Sequence, residues 1–193
     1  MCRRIIYQKA WANPSGIEFA FSRINEQDKL KKEGYYMKRI ILVLALALIA
    51  GYAESLIPVA IAIPGVKLGA ANSVVLILLY MVGVKEAFIV NVSRVVLSGF
   101  LFGSMSSILY SLSGAVFSLF IMTLLKKTDR FSVSGVSSAG GVFHNIGQLA
   151  MAALVLESAA VWYYLPVLII SGSITGLLIG VLTGEIRKRI SAI

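Results

Sequence analysis

Six apolar stretches, the second of them short, with one or a few basic residues at most of the breaks and ends, constrain this chain more than any other feature. A span needs about 20 predominantly apolar residues, so 193 residues hold roughly six or seven spans and leave no room for a separate soluble catalytic domain. With 58% hydrophobic and only 14% charged residues, the chain is too apolar to build a soluble surface around a core. The expected fold is therefore all-α, a compact bundle of six transmembrane helices.

The expected spans run from Ile40 to about Pro58, Asn72 to Val84, Ala87 to about Phe102, Ile108 to Leu125, about Ser137 to Leu156, and Leu165 to Thr183. Pro58 and Pro64 bracket a first loop, Ala60 to Ala71, that carries PGVKLG. Lys85-Glu86, Gly103 to Ser107 and Glu157 to Tyr164 are expected as breaks. With the amino end inside, Lys38, Arg39, Lys85, the Lys126 to Arg130 cluster and the Arg187 to Arg189 cluster all fall on the cytoplasmic side, and only Lys67 falls outside. One missed span would scatter these charges to both faces, so their agreement supports a multi-pass protein of the cytoplasmic membrane with both termini in the cytoplasm. Trp162, Tyr163 and Tyr164 suit an outer aromatic belt. The net charge of +9 thus reads as topology, and no nucleic-acid partner is expected because no helix face or arm gathers the basic residues.

The first 36 residues stand apart, being polar, mixed in charge and without a signal peptide's apolar region. Residues 1–36 are expected to be translated leader from a misassigned start, and 37–193 the membrane domain. Met37 is followed at once by Lys38, Arg39 and an apolar run. Lys32, Glu33 and Gly34 can be encoded by AAG-GAG-GGN, a purine-rich ribosome-binding sequence at a normal distance from Met37. The alternative is a short cytoplasmic tail that is made and stays polar.

Polar groups inside spans are expensive and mark a site or pair with one another. Glu54 lies in the outer half of the first span. Arg94 lies in the inner half of the third, with Asn91 one turn before it. His144, Asn145 and Gln148 cluster in the fifth, His144 and Gln148 on one face at i and i+4. Lys67 lies in the loop over the outer end, where an ammonium can close over an anion. These residues, with Asn72, are the candidate ligand-binding set. Each has a plainer alternative: Arg94 snorkelling or neutralising a carboxylate, Glu54 in an ion pair, His144 as a satisfied buried histidine, Lys67 as a surface lysine. Gly172, Gly176, Gly180 and Gly184 recur every fourth residue and form a smooth face for close helix packing, within the chain or against a partner; Ala47 with Gly51 is a weaker pair of the same kind.

Catalysis is not expected. No G-x-x-x-x-G-K-[ST] phosphate loop, G-x-S-x-G elbow or H-E-x-x-H helix occurs. Asp129 is the only aspartate after Met37, so the paired aspartate clusters that hold diphosphate through magnesium are missing. Cys2 is the only cysteine, and no metal or cofactor is expected.

PGVKLGAAN (Pro64 to Asn72), LFGS (Leu101 to Ser104) after the Arg94 span, FSVSGVSSAGGVFHNIGQL (Phe131 to Leu149) and YYLPVL (Tyr163 to Leu168) resemble a bacterial family named both Gx transporter and heptaprenyl diphosphate synthase component I. That family is similar in size and span number to the S components of energy-coupling factor transporters, six-helix bundles that bind a vitamin-like ligand under a first-loop lid. The resemblance implies a substrate-binding transporter subunit energised by a coupling protein and ATPase module. Its second name implies instead a non-catalytic membrane accessory to a separate prenyl diphosphate synthase subunit. A membrane subunit of an electron-transfer assembly is a third class. The alanine pair with which S components dock has only Ala47 with Gly51 as a near match.

Overall fold

The computed structural model describes residues 14–56 and 70–190, and these are all-helical, with no strand among them. The helices are α1 (Pro14–Leu56), α2 (Ala70–Met81), α3 (Val84–Phe102), α4 (Met105–Lys127), α5 (Val133–Leu156) and α6 (Leu165–Ile190), with a 3-10 turn at Ala159–Tyr164 before α6. Among the described residues, four helical stretches are long and apolar enough to cross a membrane: Asn25–Ala53, Met105–Lys127, Val133–Leu156 and Ala159–Arg189. Asn72–Met81 is apolar but shorter, and α3 carries Lys85, Glu86 and Arg94 within its 19 residues.

Contacts divide the chain into residues 1–42 and 43–193. In the first unit the Arg39 guanidinium stands 5.1 Å from the Tyr35 ring centroid, an i, i+4 cation–π contact on one helix face. The polar stretch from Pro14 is helical too. Glu, Gln and Lys are good helix formers without being apolar, so a search for apolar runs passes over them.

In the second unit, the interior mixes small residues with leucines such as Leu76 and Leu79, and many large apolar side chains stand outside. Ala47, Ala87 and Ala115 are buried with Val75, Val90 and Val136, whereas Phe100, Phe120, Ile170 and Leu178 are each more than half exposed. A surface of large apolar side chains suits a hydrocarbon surrounding, where close backbone approach rather than hydrophobic burial holds helices together.

Backbone chemistry sets the helix ends differently from the charge pattern. Lys85 and Glu86 lie in the first turn of α3 rather than between spans, since the chain breaks at Val82-Gly83 and a carboxylate near a helix N-terminus is favourable. The break expected over Gly103 to Ser107 shrinks to Gly103-Ser104, because Ser104 and Ser107 form a reciprocal capping box that starts α4 at Met105. Ser132 accepts from the Gly135 N–H at 3.1 Å and starts α5 four residues earlier than expected. Glu157 ends that helix with a φ of 49°.

The tightest packing is α5 against α6 and α4 against α5. Along α6, Gly172 lies on Gly141 and Asn145, Gly176 on Ser137 and Ser138, and Gly180 on Ser134; Gly184 has nothing within 4 Å of a Cβ position. The glycine face therefore meets α5 over three of its four residues. Side chains also bridge the close-packed backbones: Ser138 Oγ donates to Ser173 O (3.1 Å), Ser113 Oγ to Gly147 O (2.9 Å) and Ser118 Oγ to Gly140 O (2.7 Å). The last two pairs also make α4 and α5 antiparallel.

The basic residues gather where three helices end. The Lys126 ammonium and the Arg187 guanidinium lie 5.1 and 5.4 Å from the Tyr80 ring centroid, which brings the C-terminal ends of α2, α4 and α6 together. Lys126 Nζ also donates to Leu79 O. Cations at helix C-termini are favoured by the exposed carbonyls there. Tyr52 of α1 and Phe102 at the far end of α3 form a tilted ring pair 4.9 Å apart.

Candidate functional site: a polar cavity among the helices

Within the second unit, α2 to α6, with Gly51 of α1, line a cavity of about 500 Å³. That volume is in the range of small-molecule sites. Each helix turns small or polar residues toward it at helical spacing: Asn91, Arg94 and Ser98 on α3; Ser107, Ser111 and Ser118 on α4; Gly141, His144 and Gln148 on α5.

Of the candidate ligand residues, Asn72, Arg94, His144, Asn145 and Gln148 all line this one cavity. Lys67 lies outside the described residues, as does the loop that carries it, and so does the side chain of Glu54. Ala47 is fully buried and is not part of the lining, whereas Gly51 and Gly176 are.

Arg94 braces three helices. Its Nη2 donates to Asn72 Oδ1 at 3.0 Å and to Asn91 Oδ1 at 3.1 Å, and Asn91 Nδ2 in turn donates to Ala115 O at 3.2 Å. The chain α2–α3–α4 is thus joined by one guanidinium and two amides, with Asn91 only 4% exposed. Because α3 begins at Val84 and not at Ala87, Arg94 lies about 15 Å along the helix, near its middle and level with Asn72 rather than close to the inner boundary. Asn145 has a similar bracing role: its Nδ2 donates to Leu168 O at 2.7 Å and ties α5 to α6. Gly114 lets α4 approach within contact of the His144 backbone and the Gln148 side chain.

Ser98, Tyr110 and Ser111 also line the cavity and were absent from the sequence-derived set. Serine and tyrosine are ordinary in membrane helices, so none stands out alone. The signal that finds the serines is their recurrence in step with the neighbouring small residues: Ser107, Ser111 and Ser118 on α4, and Ser98 one turn after Arg94 on α3. No group of three or more metal-ligating side chains occurs among the described residues. The cavity offers donors and acceptors for binding.

A model of the family described as heptaprenyl diphosphate synthase component I matches residues 43–186. No curated protein and no solved structure matches the chain.

Proposed function

The chain belongs to the heptaprenyl diphosphate synthase component I family, and from that premise we propose that it is a non-catalytic membrane subunit assembling with a separate catalytic prenyl diphosphate synthase subunit. The family match over 43–186 carries this reading. The chemistry agrees, since a chain with one aspartate after Met37 lacks the paired aspartate clusters that hold magnesium diphosphate. A membrane-embedded subunit beside a soluble synthase would place a growing lipid product next to the bilayer that receives it.

A second reading, a substrate-binding subunit energised by an ATPase module, is favoured by one observation: a 500 Å³ cavity lined with amides and hydroxyls inside membrane-length helices. In both readings the cavity is a ligand site. Affinity purification of the tagged protein from its native membrane separates them. The expected outcome is co-purification of a soluble prenyl diphosphate synthase subunit. Recovery of an ATPase module instead would replace the first reading with the second, and recovery of an electron-transfer complex would replace both.

The proposed topology is six spans in the cytoplasmic membrane, both termini inside. It is supported by the meeting of Lys126 and Arg187 over Tyr80 at one end of the helices, with Lys127 and Lys188 beside them, as the positive-inside rule requires. In a variant lacking Cys2, a cysteine replacing the exposed Ser104 or Ala159 should react in intact cells with an impermeant thiol reagent. One replacing the exposed Thr128 should not, and labelling there would reverse the orientation.

A further inference from the structure

Two sets among the polar groups of the cavity do different work. In the first, Arg94, Asn72, Asn91 and Asn145 are engaged with other helices through the contacts described above. In the second, Ser98, Tyr110, Ser111 and Gln148 line the cavity and make no hydrogen bond within the described residues.

Three of these four lie toward one end of the cavity. Ser98 is one turn past Arg94 toward the Phe102 end of α3, and Tyr110 and Ser111 lie in the first two turns of α4, which begins beside that end. Gln148 is one turn past His144 toward the C-terminus of α5, and α5 runs antiparallel to α4. Ser98, Tyr110 and Ser111 lie on the side of Arg94 away from the end where Lys126 and Arg187 meet, and Gln148 stands about level with Arg94.

We propose that this unengaged set binds a compact, uncharged solute rich in amide or hydroxyl groups, with Gln148 supplying both a donor and an acceptor, the serines flanking it and the Tyr110 ring offering a face to pack on. The proposal rests on the reading of the cavity as a ligand site and names what it takes. Gln148 carries two N–H donors and a carbonyl acceptor, and each hydroxyl can serve either way, so the set complements a molecule edged with mixed donors and acceptors. None of the four is charged, and the Arg94 guanidinium that lines the same cavity already donates to Asn72 and Asn91, so an ion placed among the four inside a membrane would lose its hydration for little counter-charge.

Size sets a second limit. A cavity of about 500 Å³ is of the size that takes small molecules.

The test uses the full-length protein purified in mild detergent and its unfolding midpoint. Small molecules below about 500 Da extracted from the host cells are divided by ion exchange at pH 7 into neutral and anionic pools, and inorganic pyrophosphate serves as a defined anion. The neutral pool should raise the midpoint by about 3 °C or more. Gln148→Leu, and the double variant Ser98→Ala with Ser111→Ala, should each need at least about ten times more of that pool for the same rise. Both variants should match the wild type without additions, and the serine pair guards against a folding defect in Gln148→Leu.

Stabilisation confined to the anionic pool or to pyrophosphate would overturn the ligand class. So would a neutral-pool effect that both variants retain. No rise with any addition would overturn the cavity as a ligand site. Co-purification of a synthase subunit is a separate readout, so the subunit assignment stands or falls independently.

Discussion

Replacing Gly176 by Ala is expected to lower the unfolding midpoint in detergent by about 5–10 °C, and Gly176→Leu to prevent the bundle from assembling. A Cβ at Gly176 would stand 2.5 Å from the Ser137 carbonyl oxygen and 2.7 Å from Ser138 Cα. Both are backbone atoms of a helix, so neither can swing aside, and α5 and α6 would have to separate. Separation would stretch the Ser138 to Ser173 and Asn145 to Leu168 hydrogen bonds as well. Overpacking of this kind costs about 1–3 kcal/mol and here belongs at the upper end. Alanine's better helix propensity returns at most about 1 kcal/mol. The clash wins, and at about 2–4 °C per kcal/mol for a chain of this size the net loss gives the stated shift. Gly184 supplies the internal control, because nothing lies within 4 Å of its Cβ position. Gly184→Ala should leave the midpoint unchanged or raise it slightly. Equal losses at Gly176 and Gly184 would show that glycine flexibility, and not close approach, is what the stripe provides.

That contrast also marks how far the sequence could be read. A glycine every fourth residue from Gly172 to Gly184 announces a smooth helix face, because side-chain absence and helical spacing are both local properties. Which helix fills the face is a tertiary fact, and so is the point at which contact stops. The apolar runs were legible for the same reason, since hydrocarbon length and residue polarity act on each segment separately. Helix starts were less so. Lys85 and Glu86 look like a break to any argument from polarity, yet backbone hydrogen bonding continues through charged residues when their side chains can leave the apolar region. The Ser104 and Ser107 capping box is written in the sequence, but only the spacing of two serines distinguishes it from an ordinary loop.

The site was legible in proportion to how local its geometry is. His144 and Gln148 share a face by spacing alone, and both line the cavity. Asn72 and Arg94 are 22 residues apart and meet only because α2 is short and turns sharply into α3 at Val82-Gly83. Ser98, Tyr110 and Ser111 gain meaning from facing His144 and Gln148 across the cavity, which no single helix records. The functional split between bracing and unengaged polar groups is likewise a matter of partners, and residue type does not report it: Asn145 and Gln148 are chemically alike, yet one ties α5 to α6 and the other does not.

Arg94→Leu tests that split where the two readings of a buried cation differ most. The arginine reads from sequence as a ligand group or a structural one with equal force, and its contacts favour the structural role. Losing the side chain removes the donors to Asn72 and Asn91 and leaves the Asn91 carbonyl oxygen buried without them. Hydrogen bonds between helices in membranes average only about 0.6 kcal/mol each, so the two bonds alone would cost little more than 1 kcal/mol. Stranding a buried acceptor adds about 1–3 kcal/mol, and this second contribution decides the size of the effect. A total of about 2–4 kcal/mol lowers the unfolding midpoint of the ligand-free protein by roughly 5–15 °C. Arg94→Lys should lie between, since an ammonium can reach one amide oxygen but lacks the planar fork that spans both. Asn91→Leu should reproduce most of the loss, because it also frees α4 from the Asn91 to Ala115 bond. Combining Arg94→Leu with Asn91→Leu should then cost clearly less than the sum of the single losses, as the two residues share one interaction. If Arg94→Leu instead kept its ligand-free midpoint and lost only the rise produced by added solutes, the guanidinium would be a ligand-binding group and the first set of cavity groups would belong to the site itself.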